Sequence, residues 1–360
     1  GYNSENGNFK PLAFNFTRAS SATVVNKQGL IETVGSGEPR IDYKDDVNGA
    51  LLLEPQRTNS FLQSNQFDTT WGKSAQITLT SGQPDPFGGT DAFLVNLGAS
   101  VGNSIAQSLS LLSGVEYTMS AYIKGVDLTS LRMIVAGNSS ALVTSQIVNG
   151  TWVRVVITGT AASTGVLTNQ IVRSDNALSE SFYIYGAQLE QGSYATSYIP
   201  TQGSAVTRSA DVCNNGANEQ VINSTEGVLY AEISALAESS DNRYISLSDG
   251  STNKVVLRFR TSNEISGFVF NGTVQATFSY NVNILNKNKV AIKWKVNDFA
   301  LWVNGNEVGN DTSGITPLNL SLLKFEDSTS NASPFYGNTK DLRVYNTALT
   351  DAELQALTSN

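Results

Sequence analysis

The chain reads as an all-β protein built from two tandem β-sandwiches of jelly-roll type, with an irregular N-terminal segment packed on the first. Three observations lead there. Charged residues make up only 15% of the sequence, while Ser, Thr, Asn, β-branched residues and 30 glycines are plentiful, the mixture expected of many short strands joined by tight turns. Apolar residues recur with period two in run after run, which puts one side of each strand in a core. A length of 360 residues exceeds the usual size of one domain, so two are expected.

In chain order, residues 1–66 are short extended pieces punctuated by Gly and Pro. They contain the strings Phe16 to Thr23 (FTRASSAT), Glu38 to Tyr43 (EPRIDY) and Leu51 to Asn59 (LLLEPQRTN), each with an arginine able to pin a loop through bidentate bonds. Residues 67–212 are expected to form the first sandwich. Tyr117, Met119, Ala121 and Ile123 alternate, Asn149-Gly150 is a hairpin turn, and Val153, Val155 and Ile157 share a face. Residues 213–226 are polar and aperiodic and are expected to be a linker. Residues 227–360 hold about eight strand-like runs, enough for two packed sheets. The clearest is Val290, Ile292, Trp294 and Val296, then a turn at Asn297-Asp298, then Phe299, Leu301 and Val303, closed by Asn304-Gly305. Only residues 348–357 read as helical, with Thr350 and Glu353 spaced as a capping box.

Two sets of motifs carry family resemblances. Leu301-Trp302-Val303-Asn304-Gly305, with Asp341 to Asn346 and Ala348 to Glu353, resembles the hairpin, last strand and closing helical turn of laminin-G-like (concanavalin A-like) jelly rolls, over roughly residues 227–357. The three N-terminal strings, with GAQLEQG (186–192), TSYIPT (196–201) and VTRSAD (206–211), are similar to those of bacteriophage tail and receptor-binding proteins. The 67–212 region also resembles carbohydrate-binding modules found beside glycoside hydrolases. These resemblances imply a lectin-like virion protein, with other virion proteins as partners and a homotrimer as the assembly typical of fibres.

Composition excludes several kinds of chemistry. With no histidine, neither Ser-His-Asp nor Cys-His catalysis nor the usual zinc site is available. No phosphate-cradling glycine motif occurs. A net charge of −8 without a Lys/Arg cluster argues against a nucleic-acid partner. No apolar run is long enough to span a membrane. The opening residues Gly1–Gly7 do not read as a signal peptide, and Gly1 in place of Met reads as a trimmed product. One cysteine, Cys213, forms no intrachain disulfide.

Glu232 and Glu238 imitate the paired carboxylates of jelly-roll glucanases. Six residues of regular strand would hold them about 20 Å apart, against roughly 5–10 Å in working pairs, so they are read as surface acids and the protein as no enzyme. Asp42, Asp45 and Asp46 offer hard oxygen ligands for calcium but lack the full EF-hand spacing, and a solvated turn is the competing reading. Sugar binding needs an aromatic platform with planar polar groups beside it. Trp302, opposite in parity to Phe299, Leu301 and Val303, is the first aromatic candidate, with Trp152 and Tyr336; Trp71 and Tyr345 are further ones. Asp249 and Asn304, at turns, are the polar candidates, although aromatics in sandwiches more often pack in cores.

The expected function is adhesion to a bacterial surface polysaccharide or glycan by an extracellular virion component. The alternatives are the carbohydrate-binding modules of a secreted polysaccharide-degrading enzyme, or a purely structural decoration protein.

Overall fold

Alternation in the sequence becomes paired strands throughout. Glu116–Gly125 buries Tyr117, Met119, Ala121 and Ile123, and Asn288–Lys295 runs antiparallel to Phe299–Val303 across the expected turn; Val296, expected on the buried face, lies past the strand's end in that turn and is exposed. Asn297 and Asn304 there take positive φ, 56° and 49°, the left-handed backbone that short polar side chains tolerate. The computed structural model describes residues 2–3, 8–9, 14–174, 180–238, 241–261, 263–327 and 332–359, so most of Gly1–Gly7 lies outside it.

The chain divides into two units, and it passes between them four times. A central unit takes residues 19–35 and 56–209; a terminal unit takes 1–18, 36–55 and 210–360. Residues 1–66, expected as one segment on the first sandwich, are therefore shared: 19–35 and 56–66 enter the central unit, the rest the terminal one. The expected linker 213–226 is likewise folded into the terminal unit. Val212–Asn214 pairs with Asn15–Thr17, and Cys213 and Ile222 are buried in that unit's core. Neither departure has a local signal, because a short strand's partner is set by whichever sheet edge is open, here more than a hundred residues away.

The central unit is a sandwich of two five-stranded antiparallel sheets. One runs Thr78–Gln83, Ala92–Asn96, Ser181–Gln191, Glu116–Gly125, Val153–Thr160. The other runs Ser139–Leu142, Leu131–Val135, Gly165–Arg173, Ser104–Leu111, Gly72–Lys73. Between them lie Met119, Ile123, Met133, Ile171, Phe182, Leu189 and the tilted ring group Phe61, Phe67 and Trp71.

The terminal unit sets a seven-stranded sheet against a five-stranded one. The first runs Asn306–Asp311, Phe299–Val303, Asn288–Lys295, Glu226–Ala235, Gly337–Tyr345, Ala50–Leu53, Arg40–Asp42; the second runs Thr273–Asn281, Glu264–Asn271, Asn253–Arg260, Arg243–Ser248, Leu322–Lys324. Their shared core holds Leu229, Ala231, Ile233, Ile245, Leu257, Phe259, Ile292, Trp294 and Leu301. Gly227 is required there: a Cβ would fall 2.4 Å from the Trp294 ring and 2.6 Å from the Tyr345 carbonyl oxygen.

On the other face of the seven-stranded sheet lies the helix Asp351–Thr358. The Thr350 hydroxyl accepts from the Glu353 N–H while the Glu353 side chain accepts from the Thr350 N–H, the capping box foreseen from spacing. Leu354 of this helix packs on Val228, Tyr230, Ala291, Ala300 and Trp302. The helix explains why residues of both parities are buried in Phe299–Val303.

Four charged residues fasten the early segments into the terminal unit. Asp211 receives the Arg18 guanidinium at 3.0 Å, while Arg40 lies between Asp211 and Glu54 (2.8 Å), all with side chains at most 4% exposed. Burial works against the Arg40 charge, but the two carboxylates outweigh it and raise its pKa. Arg18 and Arg40 of the N-terminal strings do pin loops here through buried ion pairs, whereas Arg57 of the third string donates to the Gln56 carbonyl and lies over the Tyr194 ring.

Candidate functional site

A cleft of about 560 Å³ lies on the seven-stranded sheet of the terminal unit, alongside the C-terminal helix. Its floor follows from strand parity. In Glu226–Ala235, Leu229, Ala231 and Ile233 face the core, so Val228, Tyr230 and Glu232 face the helix side. Register then lines up Lys289, Glu232 and Asp341 across three strands, and Ala291, Tyr230 and Arg343 in the next row. Glu353 and Leu357 of the helix, with Leu349 just before it, supply one wall, and Tyr345 the end.

The polar groups of the cleft hold one another in place. The Arg343 guanidinium lies 5.6 Å from the Tyr230 ring centroid and pairs with Asp341 at 2.5 Å; that bond, against the cost of burial, raises its pKa. Burial, reinforced by Glu232, pushes the Tyr230 phenol well above its ordinary range, so it stays a neutral hydroxyl. Lys340 Nζ stands 3.6 Å from Glu232 Oε1, and Lys289 Nζ donates to the Ser359 carbonyl at 2.5 Å. The arrangement offers carboxylates, a guanidinium and two phenols to a polar ligand. Each acid on the floor is matched by a cation.

The residues singled out from sequence are not brought together. Trp302 does lie opposite Phe299, Leu301 and Val303, but the helix covers it and it is 6% exposed, so it offers no platform. Its indole Nε1 is buried without a hydrogen-bond partner. Asn304 is spent on its turn, accepting from the Lys289 N–H and donating to Asn288 Oδ1, both at 2.9 Å. Asp249 accepts from Ser251 N–H at 2.7 Å and from the Asn253 amide at 2.7 Å; these bonds lower its pKa against the effect of burial. Tyr336 packs against the terminal core. Trp152 belongs to the central unit, half-buried with its ring 6.5 Å from Tyr183, and Trp71 is 4% exposed in that unit's core.

Asp42, Asp45 and Asp46 do not make a calcium cage. Asp46 Oδ2 is held by Lys287 at 2.7 Å and Lys340 at 2.8 Å, and these ammonium groups with the Asn48 N–H depress its pKa strongly. Asp42 Oδ1 accepts from the Lys44 N–H. Among the described residues no group of three or more His, Cys, Asp or Glu side chains is disposed to hold a metal ion. Two cations already neutralise the best acid, so calcium does not fit there.

Glu238 lies beyond the end of its strand and accepts from Asn263 Nδ2 at 2.6 Å, away from the cleft that Glu232 lines. Tyr345 was legible as a candidate. Tyr230, Lys289, Asp341 and Arg343 were not, although the alternation of Val228, Tyr230 and Glu232 in GVLYAEIS and the tail string DLRVYN hold the signal.

No helix among the described residues is long and apolar enough to cross a membrane. No curated protein matches the chain. Among solved structures, it is similar to the carbohydrate-binding module CBM40 of a Ruminococcus gnavus IT-sialidase bound to α2,3-sialyllactose (17% identity, 41% of this chain and 94% of that one, TM-score 0.35). It is also similar to domains LG4-5 of the mouse laminin α1 chain (12%, 77% and 91%, TM-score 0.28). A third is the CBM22-1–CBM22-2 tandem of Paenibacillus barcinonensis Xyn10C (10%, 83% and 98%, TM-score 0.30). Scores this low carry no functional assignment. Residues 222–355, the stretch that holds the cleft, match the family model of the concanavalin A-like lectin/glucanases superfamily (Laminin_G_3).

Proposed function

We propose that the protein is a non-enzymatic adhesion protein whose terminal unit holds a carbohydrate in the cleft beside the C-terminal helix. The observation that carries this reading is the make-up of the cleft, within the region matching a lectin and glucanase superfamily: Tyr230 and Tyr345 beside Arg343, Asp341 and Glu232. Planar guanidinium and carboxylate groups suit vicinal hydroxyls, and aromatic rings suit the apolar face of a sugar. The acids are tied to cations of the same cleft, Glu232 to Lys340 and Asp341 to Arg343. Binding is the better use of such a set.

The finer reading is a bacteriophage tail or tail-fibre component, working outside the cell on the virion, with a bacterial surface glycan and other virion proteins as partners and a homotrimer as its assembly. Its support is the ordered set of strings at 14–59 and 186–211. Arg18, Arg40, Glu54 and Asp211 of those strings build the buried ion cluster, which gives them a structural reason to occur together. The alternative, binding modules of a secreted polysaccharide-degrading enzyme, uses the same cleft and differs in what surrounds the protein.

The test is an array of bacterial surface polysaccharides probed with the wild type, Arg343→Ala and Glu232→Gln. Binding by the wild type, weakened at least about tenfold in either variant by loss of a charge-assisted bond, is the expected outcome. Release of reducing sugar by the purified protein, abolished in Glu232→Gln or Asp341→Asn, would overturn it. Light scattering checks the trimer.

A further inference from the structure

In the terminal unit, residues 213–216 run beside Leu322–Lys324 and the residues just after it, joined by two backbone bonds. The Gly216 N–H donates to the Leu323 carbonyl at 3.0 Å, and the Phe325 N–H to the Cys213 carbonyl at 3.2 Å. Asn214 and Lys324 lie between those two bonds, so their side chains are cross-strand neighbours. Asn215 takes up the extra residue on its side at a φ of 58°. Cys213, Leu323 and Phe325 belong to the core, and alternation leaves Asn214, Lys324 and Glu326 together on the opposite face.

Glu326 bridges the other two. Its Oε1 accepts from Asn214 Nδ2 at 3.0 Å and stands 3.5 Å from Lys324 Nζ, so an amide and an amine meet on one carboxylate oxygen. The Ser246 hydroxyl donates to the Glu326 carbonyl at 2.6 Å and fixes its backbone. The lysine and glutamate side chains are only 16% and 13% exposed. Asn214 Oδ1 is buried without a hydrogen-bond partner, a costly state for a carbonyl oxygen. A nucleophile, a carboxamide and a proton carrier are thus held together on two paired segments, largely out of solvent.

We propose that this triad closes an intramolecular isopeptide bond between Lys324 and Asn214. Glu326 takes a proton from the Lys324 ammonium, and the neutral Nζ attacks Asn214 Cγ. A half-turn of the amide sets Oδ1 toward the protonated Glu326, whose O–H polarises the carbonyl. The Nζ–Cγ bond forms and the Cγ–Nδ2 bond breaks. Nδ2 leaves as ammonium, carrying the two protons that Nζ gives up. Nothing is oxidised or reduced, and no further reactant enters. Holding the groups in contact replaces the bimolecular encounter that makes attack on a plain amide slow. The product ties together segments more than a hundred residues apart, in a chain whose one cysteine forms no internal disulfide. It does so whatever the cleft binds.

The experiment is an intact-mass measurement of the full chain, fresh and after prolonged incubation at neutral pH, followed by a tryptic map. Expected is a mass one ammonia below that of the sequence, in all of the protein or in a fraction that grows with time. The map should show a branched peptide joining Asn214 to Lys324, with no cleavage after Lys324. Lys324→Arg and Glu326→Gln should each restore the full sequence mass and melt below the wild type. Lys324→Arg keeps the charge opposite Glu326, so a folded variant without the bond separates the chemistry from packing. The full sequence mass in the incubated wild type, the mark of an ordinary ion pair, overturns the proposal. So does a lost ammonia that maps to a succinimide at an Asn-Gly step, or a bond that still forms in Glu326→Gln.

Discussion

Thr17-Arg18 and Thr207-Arg208 are nearly the same string, yet the two units use them differently. In the terminal unit Arg18 is locked to Asp211 inside a cluster with Arg40 and Glu54. In the central unit Arg208 donates to the Ser197 hydroxyl at 2.8 Å, and the early segment is held by Asn59, an uncharged amide. Asn59 Nδ2 donates to the carbonyls of Ala187 and Ile199, and its Oδ1 accepts from the N–H groups of Phe61 and Leu189. One amide therefore replaces four backbone bonds with every group satisfied. The comparison teaches that a distant segment can be fastened by ions or by an amide, but the two fail differently. A broken ion cluster leaves charge buried; a lost amide leaves backbone dipoles unpaired.

Cys213 offers the largest effect with which to sharpen that contrast, because it reports the terminal unit alone. Burial, with a smaller push from Asp211, raises its thiol to about 12. A raised pKa means less thiolate at every pH below it, so alkylation at pH 8 should be slowed roughly a thousandfold in the folded protein and climb as pH approaches the folded value. Labelling through a urea titration then follows the opening of that unit. Rapid labelling of the native protein would show the core at Cys213 to be open.

Asp211→Asn should be the most destabilising substitution, by about 3–5 kcal/mol, since two guanidinium groups lose a buried counter-charge. The loss should appear in the Cys213 transition and leave the central unit's transition in place. Asn59→Ala should cost less, about 2–3 kcal/mol, as buried carbonyl and N–H groups lose a partner. It should show in Trp71 fluorescence and not in Cys213 labelling; a reversed pattern in either variant would break the comparison. Smallest is Thr350→Ala, about 1 kcal/mol for a lost helix cap, read from exposure of Trp302 as the helix frays.

Much of this fold was legible locally. Turns at Asn297-Asp298 and Asn304-Gly305 and the Thr350/Glu353 cap rest on residues within a few positions of each other, and all three are present. The parity of Trp302 was readable too. Its cover was not, because nothing in Phe299–Val303 says that Leu354 will lie over it. Likewise LLLEPQRTN shows a strand and an arginine but not that Ala50–Leu53 pairs with residues 337–339. Both sites suffer from the same gap. Tyr230, Arg343, Lys324 and Asn214 gain their roles from register across neighbouring strands, which single-strand periodicity does not encode.

The pairing of Ala50–Leu53 with Gly337–Thr339 also dictates an order of events during synthesis. The early strand leaves the ribosome roughly 280 residues before its partner, a wait of about 15–60 s at cellular elongation rates. Over that interval the intervening 56–209 stretch can fold to completion. Arg18 and Arg40 meanwhile stay in water until Asp211 is made, and the sheet edge stays open until the last strand arrives. A premature stop anywhere before Gly337 would therefore leave both an unmatched edge and an exposed apolar face, turning the truncated product toward self-association.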